Sequence, residues 1–137
     1  MPDQPIKVLL VEDDQDDYVI MLDYFFRMKE DRYELEWICS YEEAQTEVAR
    51  HRHDAYLFDY RLGMDSGLDL LREAKAGGCT APIIMLTRHN DPEVEFLARQ
   101  AGAAEFLHKN LTDAALLEKV LLKVLNRPPK TQTSPVP

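Results

Sequence analysis

Five short apolar runs recur along the chain, each separated from the next by a stretch with helical periodicity, and this alternation restricts the fold more than any other feature. The runs are "IKVLLV" (6–11), "LEWIC" (35–39), "AYLF" (55–58), "PIIML" (82–86) and "AEFL" (104–107). Each is bounded by polar or glycine residues and is too short for a core helix, so each reads as a mostly buried strand. Crossovers through the intervening helices lay such strands parallel and cover both faces of the sheet. The expected fold is therefore α/β, a doubly wound five-stranded parallel sheet. In such a sheet a ligand sits beyond the carboxyl ends of the strands, where the strand order reverses. The 137 residues suit one domain of this kind and are too few for two.

The helical segments carry their own punctuation. A helix over 14–29 sets Tyr18, Met21, Leu22, Phe25 and Phe26 at helical spacing, an aromatic stripe that reads as core, with Asp14 or Asp16 suited to cap it. "SYEE" (40–43) holds Ser40 and Glu43 at capping-box spacing and opens a helix to 51. A helix over 66–76 begins near Asp65 or Ser66 and stops at Gly77-Gly78. "NDPE" (90–93) offers a capping residue and then Pro92 for the first turn of a helix that ends at Gly102. The last helix, 112–126, repeats Leu117, Val120, Leu121 and Val124 on one face. The folded unit is thus 6–126, behind a short lead at 1–5, and the Pro-rich, polar "RPPKTQTSPVP" (127–137) reads as a tail or linker.

With 25 acidic side chains against 16 Lys and Arg, and a net charge of −9, the chain is a poor direct partner for nucleic acid or an anionic membrane. Acids gathered in one place would attract a cation instead. The first apolar run is too short for a signal peptide, and no stretch is long enough to span a membrane, so a cytoplasmic location is expected. Cys39 and Cys79 form no disulfide or metal-ligand framework and read as buried, inert thiols. "HRH" (51–53) has the look of a metal pair, yet it closes a polar helix end, where solvated histidines are the ordinary reading.

The chemistry lies at the strand ends. Glu12, Asp13 and Asp14 follow the first strand, Asp59 ends the third, Thr87 the fourth, and His108 and Lys109 the fifth. Carboxylates brought this close repel, and some must bind protons unless a cation joins them. An open, oxygen-rich, acidic site suits Mg²⁺, which keeps several waters and takes phosphate oxygens as further ligands. Thr87 can donate a hydrogen bond to an anion, and Lys109 can meet one as a point charge. Asp59, rigid at the end of a buried strand, is then the natural nucleophile toward phosphorus, giving an aspartyl phosphate.

Taken together, "VLLVEDD", "LFDYRLGMDSGLDLL", "MLT" and "EFLHK" resemble the response-regulator receiver domain of two-component signalling, over residues 6–126. The resemblance implies a flavodoxin-like (βα)5 fold with strand order 2-1-3-4-5. It implies transfer of a phosphoryl group to Asp59 from a histidine kinase or a histidine phosphotransfer protein. Mg²⁺ (or Mn²⁺) would be held by Asp13, Asp59 and the backbone carbonyl of Arg61, with Glu12 acting mainly through a water. Thr87 would be the switch hydroxyl, and Lys109 would contact the Asp59 carboxylate or its phosphoryl group. Phe106 would be the aromatic that turns inward as Thr87 moves. The readout surface would be the fourth helix, fifth strand and fifth helix, which also offers a homodimer contact.

Two positions depart from the family. Asn110 stands where proline usually follows the lysine; a cis bond before a non-proline residue costs about 3–4 kcal/mol, so a trans Lys109–Asn110 bond is expected. Arg88 and His89 follow Thr87 where a small residue is usual. They read first as solvated side chains and, with Arg61, as candidate modulators of hydrolysis, Arg88 by shielding phosphorus from water.

Two rival readings remain at this level. A receiver-like interaction module that no longer takes phosphate would be expected to lack an acidic, hydroxyl or lysine position, and here all are present. A Mg²⁺-dependent phosphatase passing through an aspartyl phosphate would need a second aspartate two residues after the nucleophile, where this chain has Arg61. The expected behaviour is that of a switch rather than a turnover enzyme.

Overall fold

A computed structural model of the chain describes residues 4–88 and 90–127; His89 and the tail from 128 onward lie outside the described residues. The apolar runs form β1 (Ile6–Val11), β2 (Tyr33–Ile38), β3 (Ala55–Asp59), β4 (Ile83–Thr87) and β5 (Glu105–His108). All neighbours pair in parallel, in the order β2-β1-β3-β4-β5. The helices are α1 (Gln15–Arg27), α2 (Tyr41–Val48), α3 (Gly67–Ala76), α4 (Pro92–Gln100) and α5 (Ala114–Val124).

Each helix starts where a short polar side chain can satisfy backbone N–H groups that the helix itself leaves unpaired. Asp14 accepts from the amides of Asp16 and Asp17. Ser40 accepts from the Glu43 amide while its hydroxyl donates to the Glu43 carboxylate. Ser66, Asp91 and Asp113 cap α3, α4 and α5, with Pro92 in the first turn of α4.

Alternation along the strands divides the core into two layers. Leu9, Val11, Tyr56, Phe58, Ile83, Met85 and Phe106 face α2, α3 and α4, where Ala44, Val48, Leu70, Leu71 and Ala98 meet them. Ile6, Val8, Leu10, Leu57, Ile84, Leu86 and Leu107 face α1 and α5, against Met21, Phe25, Leu117 and Leu121. β3 and β4 are buried along their whole length, as central strands of a doubly covered sheet should be.

Three sequence-based expectations need correction. β2 begins at Tyr33, two residues before the apolar run, and as an edge strand it is only half-buried, so Cys39 just beyond it is exposed; Cys79 is buried. The aromatic stripe of α1 is not all core. Asp17, Met21 and Phe25 point inward at four-residue spacing, leaving Phe26 86% exposed. A short antiparallel ribbon, Arg61–Leu62 with Asp65–Ser66, was not foreseen; it carries the chain from the end of β3 into α3.

Candidate functional site

Register decides which side chains meet. Val11 pairs with Phe58, Asp59 with Leu86, and Thr87 with His108, so Glu12, Asp59, Thr87 and Lys109 emerge side by side at the carboxyl edge. β2 lies outside this group, and the order reverses between β1 and β3, where the site falls.

The backbone holds each acid in place. The Glu12 amide donates to the Ile38 carbonyl at 3.1 Å, and the Glu12 carbonyl accepts from the Trp37 indole at 2.7 Å. Trp37 is itself stacked on Tyr18, with ring centroids 4.0 Å apart. Gly67 donates to the Tyr60 carbonyl at 2.7 Å and packs so closely that a Cβ there would stand 2.1 Å from the Asp59 carbonyl oxygen. Gly63 takes a φ of +63°, open to glycine at little cost, and points its amide at Asp13 Oδ2, 2.8 Å away.

Lys109 is the hub. Its ammonium lies 2.7 Å from Asp59 Oδ1, 2.5 Å from Glu12 Oε1 and 2.8 Å from Asp17 Oδ2. Asp17 was missed in the sequence reading. Its signal was available: a charged residue in phase with Met21 and Phe25 on the buried face of α1. Arg88 also differs from expectation, because its guanidinium is paired with Asp17 rather than left to solvent alone. Burial pushes Glu12 up to about 7, Lys109 opposing it. Burial likewise raises Asp59, again against the pull of Lys109. At Asp17 burial pulls upward too, but Lys109 and Arg88 outweigh it and hold the carboxyl below its usual range. Burial would lower Lys109, yet its three carboxylate partners raise it, so it stays charged.

The charge count tests the metal. Five carboxylates, Glu12, Asp13, Asp14, Asp17 and Asp59, stand against three cations, Lys109, Arg61 and Arg88, so with every acid ionised negative charge exceeds positive by two, which one divalent ion would balance. Glu12, Asp13 and Asp59 each offer an oxygen within 4.8 Å of the others, an all-oxygen donor set of the kind Mg²⁺ prefers. Around them lies a cavity of about 190 Å³, bordered also by Asp14, Tyr60, Arg61, Thr87 and Arg88. The residues fit a Mg²⁺ ion. Thr87 is buried at the cavity wall.

Other expected features are placed as follows. No peptide bond among the described residues is cis, in keeping with the expected Lys109–Asn110 linkage. Phe106 is buried, 5% exposed, so the inward position it was expected to reach is already taken. Of the pair at 51–53, His51 is exposed with a φ of +53°, whereas the His53 ring is buried and bonded to Glu36 at 2.7 Å.

The family described as "Response regulator receiver domain" matches residues 8–121. The chain belongs to that family. Response regulator protein PilR of Pseudomonas aeruginosa is 31% identical over 130 residues, 95% of this chain and 28% of PilR. Regulatory protein VanRB of Enterococcus faecalis is 33% identical over 115 residues, 84% of this chain and 50% of VanRB. The receiver thus spans half or less of these two relatives. Among solved structures, the receiver domain of the sensor histidine kinase PA1611 of Pseudomonas aeruginosa superposes with a TM-score of 0.77 at 26% identity, covering 90% of this chain and 99% of that one; it has a magnesium ion in its active site cleft. Receiver domains take phosphoryl groups from histidine kinases and bind Mg²⁺ in their acidic pocket. No described helix of this receiver is long and apolar enough to cross a membrane.

Proposed function

We propose that this receiver is a switch in which Asp59 accepts a phosphoryl group from the phosphohistidine of a histidine kinase or a histidine phosphotransfer protein. The observation that carries the reading is Asp59 itself: buried at the end of β3, fixed by Lys109 on one oxygen and grouped with Glu12 and Asp13. In the transfer an Asp59 oxygen bonds to phosphorus as the phosphorus–nitrogen bond of the donor breaks, and the electron pair leaves with the imidazole. Asp13, Asp59 and the Arg61 carbonyl would hold Mg²⁺, with Glu12 behind them; when bound, the ion offsets charge on the phosphoryl oxygens. Lys109 and Thr87 supply a cation and a hydroxyl on the cavity's other side.

Signal output runs through the loop after β4. Thr87 is the hydroxyl placed to follow the phosphoryl group, and α4, β5 and α5 flank it. Phe106 then acts as a packed wall of that surface rather than as a side chain waiting to turn in. Phe96 on α4, 59% exposed, supports the same face as a homodimer contact. Arg88, held at the cavity mouth, shields phosphorus from water, so the phosphorylated state of Arg88→Ala should decay faster. Arg61, also at the cavity, and His89 stay as further modulators of hydrolysis. The domain acts as a switch, not as a turnover enzyme, and its expected place is the cytoplasm.

The deciding experiment incubates the chain with a small-molecule phosphodonor and Mg²⁺ and reads intact mass. One hydroxylamine-labile phosphoryl adduct that requires the divalent ion and is absent from Asp59→Asn is the expected result. An adduct of equal yield on Asp59→Asn rejects the assignment.

A further inference from the structure

Asp17 is a carboxylate in an unusual position: the first turn of α1, on the helix face that packs against the sheet, and only 6% exposed. An ionised carboxylate so buried requires a cation. It has two, one on each oxygen. Oδ2 takes Lys109 at 2.8 Å, and Oδ1 takes the Arg88 guanidinium. Arg88 is half-exposed, directly follows Thr87, and its carbonyl accepts from the Asn110 side chain at 3.4 Å.

Lys109, by contrast, has no donor to spare. An ammonium offers three hydrogens, and Glu12, Asp17 and Asp59 engage all three. A phosphoryl oxygen on Asp59 can be met by Lys109 only if one of these contacts is released. Among the described residues Glu12 has Lys109 as its one ion-pair partner, and Asp59 is the point of attachment. Asp17 alone keeps a second cation when the lysine departs.

We propose that Arg88 is the replacement counter-ion that lets Lys109 leave Asp17 for the phosphoryl group, which makes Asp17 a positioning residue for that lysine; the proposal rests on phosphoryl transfer to Asp59. Without Arg88, release of Lys109 would strand a buried carboxylate, so the lysine would be retained and phosphoryl binding would weaken. If the carboxylate is also removed, nothing retains the lysine, and binding recovers. The same ion pair ties the loop carrying Thr87 to α1.

The test is a mutant cycle on the full chain: wild type, Arg88→Ala, Asp17→Asn and the double variant, titrated with beryllofluoride, a phosphoryl mimic, in the presence of Mg²⁺. Trp37, the one tryptophan and bonded to the Glu12 carbonyl, reports binding by fluorescence. Arg88→Ala should weaken apparent affinity by about fivefold, the size a half-exposed ion pair supports. Asp17→Asn should bind as tightly as wild type or tighter, and the double variant should return to within about twofold of it, since independent losses would add rather than cancel. Metal-free melting of all four shows that each is folded. A double variant as weak as Arg88→Ala, or Arg88→Ala with wild-type affinity, overturns the proposal. Both of those outcomes leave the wild-type adduct on Asp59 intact, whereas a wild type that takes no Asp59-dependent adduct overturns the proposed function and this inference with it.

Discussion

Among the described residues, two groups of three side chains bring their ligand atoms close enough to hold a metal ion, and the two differ in charge. Glu12, Asp13 and Asp59 gather beyond the carboxyl ends of β1 and β3, with Lys109 paired to Glu12 and Asp59. Glu36, Glu47 and His53 gather beside β2, ahead of β3, with their ligand atoms equally within 4.8 Å. In the second cluster Glu47 is buried but already carries a close Arg52 guanidinium, with Arg50 at 3.6 Å, while Glu36 is half in water. That set is locally neutralised and ties α2 to the loop before β3. In the first cluster the carboxylates outnumber the cations, and burial pushes Glu12 up to about 7 with Lys109 acting against it. Proximity of acids is therefore a poor guide to a cation site. The residual charge, after the protein's own cations are counted, is the better one.

The strongest challenge to this contrast is removal of the Asp59 carboxylate. Asp59→Asn should abolish the phosphoryl adduct in intact mass, whereas Glu36→Gln should leave it at wild-type yield; a lost adduct in Glu36→Gln would erase the distinction. Gly67→Ala probes geometry without touching charge, because its new methyl would collide with the Asp59 carbonyl. Chemical denaturation should show a loss of about 1–3 kcal/mol, together with slower phosphorylation. Asp13→Ala takes one charge from the unbalanced cluster. Its Mg²⁺ affinity should fall by about tenfold or more, and its metal-free form should melt higher than wild type. A variant that melts lower and binds Mg²⁺ normally contradicts the charge count.

A smaller effect should appear with pH. The folded chain holds the Glu12 proton more tightly than the unfolded chain does, so it binds more protons between the ordinary carboxylate range and about 7. Metal-free stability should fall as pH rises through that window, and the raised Asp59 acts in the same direction. Asp17, held low, contributes the opposite slope only at more acidic pH. Thermal melts across the window check the sign, and Mg²⁺ should flatten the slope. Smallest is Glu47→Gln, which loosens a pair whose arginine is half in solvent. It should lower the denaturation midpoint only slightly and leave phosphorylation unchanged.

Much of this architecture is legible in the sequence. The five strands, their parallel direction and most helix caps follow from local pattern, since strand alternation, capping side chains and glycine stops act over a few residues; the strand order came with the family resemblance. Glu12, Asp13 and Asp59 were legible too, because each sits at or just past the end of a strand whose burial shows in its composition, whereas Asp17 on α1 was not. Element ends drifted where the tertiary setting differs: β2 starts early because an edge strand need not be apolar throughout. The ribbon at 61–66 carried no alternation long enough to see.

By itself, then, the sequence determined the elements, their alternation and the set of side chains delivered to the carboxyl edge. Tertiary structure decided which of them touch. Helical spacing offers α1 two apolar phases, and only packing against the sheet selected Met21 and Phe25 over Phe26, turning Asp17 inward with them. Asp17 and Lys109 are 92 residues apart, and Asp17 and Arg88 71 apart. Pairings at such separations depend on strand register and helix rotation, which are settled only when the whole core closes.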